Sequence, residues 1–203
     1  MSIKMKEKLL AALLDLNCLQ VRPKDPFTYA SGLRGPLYCD NRLALSDPET
    51  RNLIAEMFVT KFNELKLKVD SVMGLATAGI AHGMLLADRL DLPFAYIRSK
   101  PKGHGKANLI EGKWREGMQV LLLEDLVNQG SSLSEAKLAI EKSGGVVVSS
   151  FCIVNYEFNQ PEKAGDLHER ISFTELVNYC ETSSRLNKEE LHLVRDWHAG
   201  LQK

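Results

Sequence analysis

The chain has 203 residues, and its 26 basic side chains balance 26 acidic ones. This length suits one domain that buries its own core, and the balanced charge excludes a broad nucleic-acid-binding surface. The four cysteines form no Cys-x-x-Cys pair, so neither a zinc site nor a disulfide framework is indicated. No apolar run approaches the length of a membrane span, and no secretory signal is recognisable. We therefore predict a soluble, cytoplasmic protein that binds neither nucleic acid nor membrane.

The N-terminal part combines an amphipathic helix with a loop-rich segment. Leucines at helical spacing predict a helix over residues 4–20. Prolines and glycines then interrupt residues 23–36, and short strands are expected around 27–29 and 37–39. The run Ser-Asp-Pro-Glu that starts at Ser46 is typical of a helix start, which predicts a second helix through Phe62.

Strands and helices alternate through the middle of the chain. Apolar segments predict strands over 69–75, 93–97, 120–123 and 146–154. Helical periodicity separates the first strand from the second, and the third from the fourth. This alternation indicates βαβ units, and therefore a mainly parallel sheet.

The third of these strands leads into a segment suited to a phosphorylated ligand. Two acids, Glu124 and Asp125, are expected to end the strand, and a loop of small and polar residues over 128–132 precedes the next helix. Amides at a helix start favour phosphate, and Gly130 allows the backbone to approach it closely. The acids suit ribose hydroxyls or a bound Mg²⁺. The alternative is an ordinary solvated strand end.

A basic segment over 98–106 lies between the second and third strands. It holds four cations and a histidine together with two glycines and a proline, a composition that disfavours a helix. Such a loop could close over a polyanion, neutralise charge on a leaving group and exclude water. The alternative is a solvated basic turn.

Two of these segments resemble motifs of the type I phosphoribosyltransferases, and of the orotate phosphoribosyltransferases in particular. Residues 120–132 resemble the signature that binds 5-phosphoribosyl 1-pyrophosphate (PRPP). Residues 98–112, which read Arg-x-x-x-Lys-x-His-Gly and then Ile-Glu-Gly, resemble the catalytic loop. Residues 27–38 resemble the N-terminal hood, and residues 76–80 resemble the loop that receives pyrophosphate. The resemblance extends over roughly residues 10–180.

The resemblance implies a fold and a reaction. The fold is the α/β type I phosphoribosyltransferase fold, a mainly parallel twisted sheet flanked by helices. A single domain over 1–203 would comprise a small hood (about 1–45), a core (about 46–180) and a helical tail. The reaction is transfer of the phosphoribosyl group from PRPP to orotate with Mg²⁺, giving orotidine 5′-monophosphate and pyrophosphate in de novo pyrimidine biosynthesis. A homodimer is implied, in which each basic loop reaches the partner's site.

The resemblance also implies roles for individual residues. Glu124 and Asp125 would hold the ribose hydroxyls, with Asp125 also close to the base. Asp125, Lys102 and His104 are the catalytic candidates, and no side chain is assigned as a metal ligand. The candidates for substrate binding are Ala76, Thr77, Ala78, Gly79, Arg98, Lys100, Lys102, His104, Glu124, Asp125, Asn128, Gln129, Gly130, Ser131, Ser132, Tyr38 and Arg42.

Several positions depart from the family pattern. Ser99 and Ala30 stand where lysines are common, and Asn128 replaces a threonine. Many relatives also carry an arginine that holds the orotate carboxylate where this chain has Tyr156, so we consider Arg42 as a substitute. Two alternative functions follow: a PRPP-dependent transferase for another nucleobase such as a purine, or a non-catalytic PRPP-sensing regulator. The balanced charge and the complete catalytic loop argue against the regulator.

Overall fold

The computed structural model describes residues 3–29, 31–99, 109–158 and 166–201. The N-terminal elements are α1 (Ile3–Asp15), β1 (Leu19–Val21), β2 (Phe27–Thr28), β3 (Arg34–Gly35), β4 (Leu37–Cys39), a 3₁₀ helix (Asn41–Ser46) and α2 (Pro48–Glu64). The central elements are β5 (Ser71–Leu75), α3 (Ala78–Leu90), β6 (Phe94–Ile97), β7 (Ile110–Glu111), β8 (Gln119–Val127) and α4 (Ser131–Lys142). The chain continues with β9 (Val146–Asn155), β10 (Leu167–Ser172), α5 (Phe173–Thr182) and α6 (Lys188–Leu201).

Six strands form one twisted sheet in the order β10-β9-β8-β5-β6-β7. Neighbouring strands are parallel except β7, which runs antiparallel to β6. The predicted α/β fold with a mainly parallel sheet is therefore confirmed. Because β5 and β8 pair in register up to Gly74 and Leu123, their carboxyl ends meet at the same edge. This edge is where open α/β sheets bind ligands.

The central strand β8 is buried on both faces, as its apolar run predicts. Leu121 and Leu123 pack into one apolar cluster with residues of α1, α2, α3, α5 and α6. Val120 and Leu122 point the other way, into a second cluster with α4. This alternation follows from the two-residue period of a strand. Helices therefore cover both faces of the sheet and hold its carboxyl edge in place.

Two of the differences from the predicted boundaries have a clear cause in the structure. The first helix was expected over 4–20 but ends at Asp15, because Asn17 adopts a positive φ of 58° and residues 19–21 pair with β4. The acids were expected to end the third strand, but β8 continues through them to Val127. The reason is that β9 pairs along this stretch, up to the pair of Val127 with Asn155. Glu124 and Asp125 therefore belong to β8 and not to the loop that follows it.

Short antiparallel strands form the predicted hood. β1 pairs with β4, and β2 pairs with β3. Tyr29 donates its hydroxyl to the carbonyl of Leu37 at 2.6 Å, which ties the β2–β3 hairpin to β4. In the part of the chain that the structure describes, no helix is long and apolar enough to cross a membrane.

Candidate functional site

Glu124 lies where β8 reaches the carboxyl edge of the sheet, largely removed from water. Its Oε1 accepts a hydrogen bond from the backbone amide of Asp125 at 3.0 Å. Burial, and then the adjacent Asp125 carboxylate, raise the pKa of the Glu124 carboxyl to about 9. The side chain is therefore protonated near neutral pH and can both donate and accept hydrogen bonds to a sugar hydroxyl.

Asp125 faces the hood. Burial is the main cause of the raised pKa of the Cys39 thiol, and the Asp125 charge is the next. The pKa of Tyr156 is also raised, by burial first and by Cys39, Tyr29 and Asp125 after it. The Asp125 carboxylate is therefore on the hood side of β8, and it also interacts with the neighbouring carboxyl group of Glu124.

The loop after β8 forms a cradle at the start of α4. A cavity of about 240 Å³ is lined by Glu124 and by residues 126–133. Gly130 precedes the helix with φ 75° and ψ 1°, in the left-handed region that favours glycine. No side chain caps the first turn of α4, so its amides remain available to an anion. The predicted candidates Asn128 to Ser132 all line this cradle.

A second small-residue loop lies beside β8, between β5 and α3. A Cβ on Gly79, in the first turn of α3, would lie 2.5 Å from the carbonyl oxygen of Leu123, so only glycine allows the helix start this close to β8. The peptide bond between Ala76 and Thr77 is cis. No side chain caps α3, which starts at Ala78, so its first amides are also free for an anion.

A cavity of about 180 Å³ lies between this loop and the start of α4. We call it the loop-side cavity, and Ala76, Arg98, Glu124 and Ser132 are among its lining residues. Arg98 lies at its rim, with Nη1 3.6 Å from Oε1 of Glu111. The structure therefore brings four predicted elements together: the Ala76 loop, Arg98, Glu124 and the start of α4.

The basic segment falls mostly outside the described residues. Lys100, Lys102 and His104 belong to this undescribed part. Ala30, in the hood, also lies outside the described residues. The flanking residues are described: the Arg98 amide donates to the carbonyl of Leu109 at 2.9 Å. Arg98, Ser99 and Leu109 all line the loop-side cavity, so the described residues on both sides of the segment lie there.

A cavity of about 750 Å³ lies on the other side of β8, between the hood and α6. We call it the base-side cavity. Its walls include Tyr29 and Tyr38 of the hood, Tyr156 after β9, and Trp197 of α6. Asn128 and Gln129 line it too, so it adjoins the phosphate cradle. A volume of this order suits a small-molecule ligand, for which about 300–1,000 Å³ is usual.

Tyr156 and α6 build one wall of this cavity together. His198 lies 2.5 Å from the carbonyl oxygen of Tyr156 through Nε2, and its ring stacks on Phe173 at 3.8 Å between centroids. Sequence reasoning missed this contribution of the C-terminal helix. The signal was present in the adjacent aromatic residues Trp197 and His198 on an amphipathic helix, but nothing local indicates what such a helix covers.

Arg42 is held by a carboxylate of the protein itself. Its Nε lies 2.6 Å from Oδ1 of Asp40, and its Nη2 donates to Oδ2 at 2.8 Å. Arg42 does not belong to the described lining of the base-side cavity, whereas the predicted candidate Tyr38 does.

Comparisons with known proteins agree with this geometry. The model of the phosphoribosyl transferase domain matches residues 44–177. An orotate phosphoribosyltransferase of Streptococcus thermophilus is 42% identical over 188 residues, which cover 90% of each chain. Another, from Streptococcus gordonii, is 40% identical over 198 residues, covering 92% of this chain and 95% of the relative.

Solved structures give the same fold. An orotate phosphoribosyltransferase from Aeropyrum pernix aligns with a TM-score of 0.75 at 22% identity, over 88% of this chain and 99% of that one. The UMP synthase of Leishmania donovani aligns with a TM-score of 0.80 at 25% identity. The alignment covers 96% of this chain and 42% of that longer protein.

Proposed function

This chain belongs to the phosphoribosyl transferase family, and from that premise we propose that it transfers the 5-phosphoribosyl group of PRPP to orotate. The products are orotidine 5′-monophosphate and pyrophosphate, and the step belongs to pyrimidine biosynthesis. The names of relatives at 40–42% identity over nine-tenths of the chain support the choice of orotate. We place the reaction in the cytoplasm, where thiols stay reduced, which suits the four free cysteines.

The observation that carries the proposal is the division of the site by β8. The phosphate cradle and the loop-side cavity adjoin Glu124, and the base-side cavity lies on the hood side, which Asp125 faces. PRPP has three parts that need such separate places: a 5′-phosphate, a ribose and a pyrophosphate. The cradle suits the 5′-phosphate, and the uncapped start of α3 suits the pyrophosphate.

The chemistry needs no protein nucleophile. Glycosyl transfer passes through an oxocarbenium-like centre, so the protein has to position the reactants, stabilise charge and exclude water. Glu124 and Asp125 hold the ribose from the end of β8. Asp125 adds a negative charge on the side from which the base approaches, where it stabilises the developing positive charge of the ribose. Arg98 and the basic loop neutralise the departing pyrophosphate.

Mg²⁺ is the cofactor in this proposal, and the residues fit it. Glu124 and Asp125 offer carboxylate oxygens, and Mg²⁺ is commonly held by one or two carboxylates together with substrate phosphates. Among the described residues, no group of three or more His, Cys, Asp or Glu side chains is placed to hold a metal. These donors suit an ion that arrives with PRPP. When bound, it supplies positive charge to the pyrophosphate leaving group.

We also propose a symmetric homodimer in which Lys102 and His104 reach the partner's site. The support is the resemblance of the basic segment to the catalytic loop of the family, together with its attachment at the loop-side cavity. Two-fold dimers are the commonest oligomers, and such a loop can complete a neighbouring site symmetrically.

A panel of nucleobases tests the function. The purified protein is incubated with PRPP, Mg²⁺ and orotate, uracil, adenine or hypoxanthine, and pyrophosphate release is measured. We expect rapid release with orotate and poor release with uracil, because a site built for a charged group penalises its absence. If pyrophosphate is released with a purine but not with orotate, that purine is the substrate and orotate is not. No release with any base, despite PRPP binding, would favour a regulator.

A further inference from the structure

The base-side cavity has one cationic side chain among its described lining residues, Arg34. Arg34 lies on β3, opposite Thr28 in the β2–β3 hairpin. Its side chain is exposed and makes no hydrogen bond, ion pair or ring contact with any residue for which the structure gives a position. An arginine that faces a cavity without a protein partner keeps its donors free for a ligand anion.

The hairpin that carries Arg34 is held against the cavity wall. A Cβ on the neighbouring Gly35 would lie 2.8 Å from Cζ2 of Trp197 and 2.4 Å from the hydroxyl of Tyr29. The hairpin therefore packs closely on α6 and on Tyr29, whose hydroxyl is fixed on the Leu37 carbonyl. This packing keeps the Arg34 backbone at the rim of the cavity.

Three other charged side chains are either paired with a protein group or lie in a different cavity. Arg42 is paired in a fork with Asp40, and Arg98 lines the loop-side cavity on the opposite side of β8. The carboxylate that lines the base-side cavity, Asp196, lies 3.1 Å from Nε2 of His192 through Oδ2. Arg34 is therefore the group best placed to attract an anion into this cavity.

We propose that Arg34 binds the carboxylate of the pyrimidine substrate and so determines the choice of orotate over uncharged pyrimidines. This inference rests on the proposed function, because it takes orotate as the base. The guanidinium offers two parallel N–H donors that match a carboxylate. Tyr156 provides a second polar group in the same cavity, on the side of Asp125.

Binding of two product nucleotides tests this role. Orotidine 5′-monophosphate and UMP share the ribose and the phosphate and differ by the carboxylate, so the ratio of their dissociation constants isolates its contribution. We expect the wild-type protein to bind orotidine 5′-monophosphate about 10- to 100-fold more tightly than UMP, as befits one charged hydrogen-bonded pair. In Arg34→Gln the ratio should fall to near one, while the affinity for UMP stays the same.

Two outcomes would overturn the proposal. If Arg34→Gln weakens the binding of both nucleotides by the same factor, Arg34 holds the 5′-phosphate that they share, since the cavity adjoins the cradle. If the ratio keeps its wild-type value, Arg34 does not contact the ligand. Arg22→Gln is the matched control, because Arg22 is an exposed hood arginine that stacks over Phe27 at 4.8 Å and does not line the cavity. In Arg22→Gln, the ratio of the two dissociation constants should keep its wild-type value.

Arg42→Gln decides between the two hood arginines. If the ratio of the two dissociation constants falls to near one in Arg42→Gln but keeps its wild-type value in Arg34→Gln, Arg42 holds the carboxylate and Arg34 is rejected. The proposed function is tested separately by pyrophosphate release from orotate in the wild-type protein. A wild type that turns over orotate, combined with an unchanged ratio in Arg34→Gln, would therefore refute only the role of Arg34.

Discussion

Asn41 donates its side-chain amide to the backbone carbonyl of Asp125 at 3.0 Å and is completely buried. This bond joins the first residue of the 3₁₀ helix in the hood to the strand that carries both acids. The backbone carbonyl of Asn41 lies 3.2 Å from Nε2 of His82 on α3. Asn41 thereby links the hood, β8 and α3 at the point where the ribose is expected to bind.

Replacing Asn41 by alanine should weaken both the fold and the reaction. The change leaves the Asp125 carbonyl without its donor, and an unsatisfied buried group costs about 1–3 kcal/mol of unfolding free energy. Urea denaturation measures this loss, and kcat should fall because Asp125 is less firmly placed. Asn63→Ala is the control: Asn63 is exposed on α2, and its loss should change stability by less than about 0.5 kcal/mol. Equal stabilities of the two variants would show that the Asn41 bond contributes little.

Glu124→Gln should make the ligand-free protein more stable at alkaline pH. The pKa of Glu124 is raised in the folded state, by burial first and by Asp125 second, so the folded protein binds this proton more tightly than the unfolded chain. The contribution of this proton to stability is therefore fully present below the unfolded pKa of about 4.3, and it declines as pH rises towards the folded pKa. Glutamine cannot ionise and avoids this decline.

The stability difference should therefore grow with pH. Between pH 5 and pH 8, the unfolding free energy of Glu124→Gln relative to the wild type should rise by up to about 1.4 kcal/mol per pH unit. Urea denaturation at several pH values measures the difference. A difference in stability that is independent of pH would contradict the raised pKa.

Gly130→Ala should weaken PRPP binding through the cradle. Gly130 has a φ of 75°, and a side chain in the left-handed region costs about 1–2 kcal/mol, which displaces the amides at the start of α4. Gly117→Ala is a matched control, because Gly117 has a φ of 78° and its added Cβ would meet no atom within 4 Å. Both variants should lose similar stability, but the KM for PRPP should rise in Gly130→Ala alone. If the KM for PRPP is the same in the two variants, the cradle does not bind PRPP.

The sequence predicted the parts of the site that are continuous in the chain. Strand, acids, small-residue loop and helix follow one another over 120–140, so their geometry is local and periodicity identifies it. The base-side cavity is different, because hood residues, Tyr156 and α6 meet there only after folding. The extension of β8 through both acids was missed for the same reason, since it depends on pairing with β9. Such contacts between distant segments leave no local pattern.

Asp125→Asn should lower turnover far more than it weakens PRPP binding. The substitution keeps the shape of the side chain but removes the charge that stabilises the oxocarbenium-like centre. Steady-state kinetics with orotate and PRPP give kcat, and binding of PRPP alone gives the ground-state affinity. Wild-type turnover in this variant would reject Asp125 as a catalytic residue.

Mixing two inactive variants tests whether the basic loop is shared between subunits. Lys102→Ala keeps Asp125 but has a defective basic loop. Asp125→Asn keeps the basic loop but has a defective site at the end of β8. When subunits exchange at equal concentration, about half of the dimers are mixed. If each loop serves its neighbour, every mixed dimer has one site with both parts intact, so about a quarter of the wild-type activity should return. If the loop serves its own chain, every site keeps one defect, and mixtures in which mass spectrometry detects exchange would remain inactive.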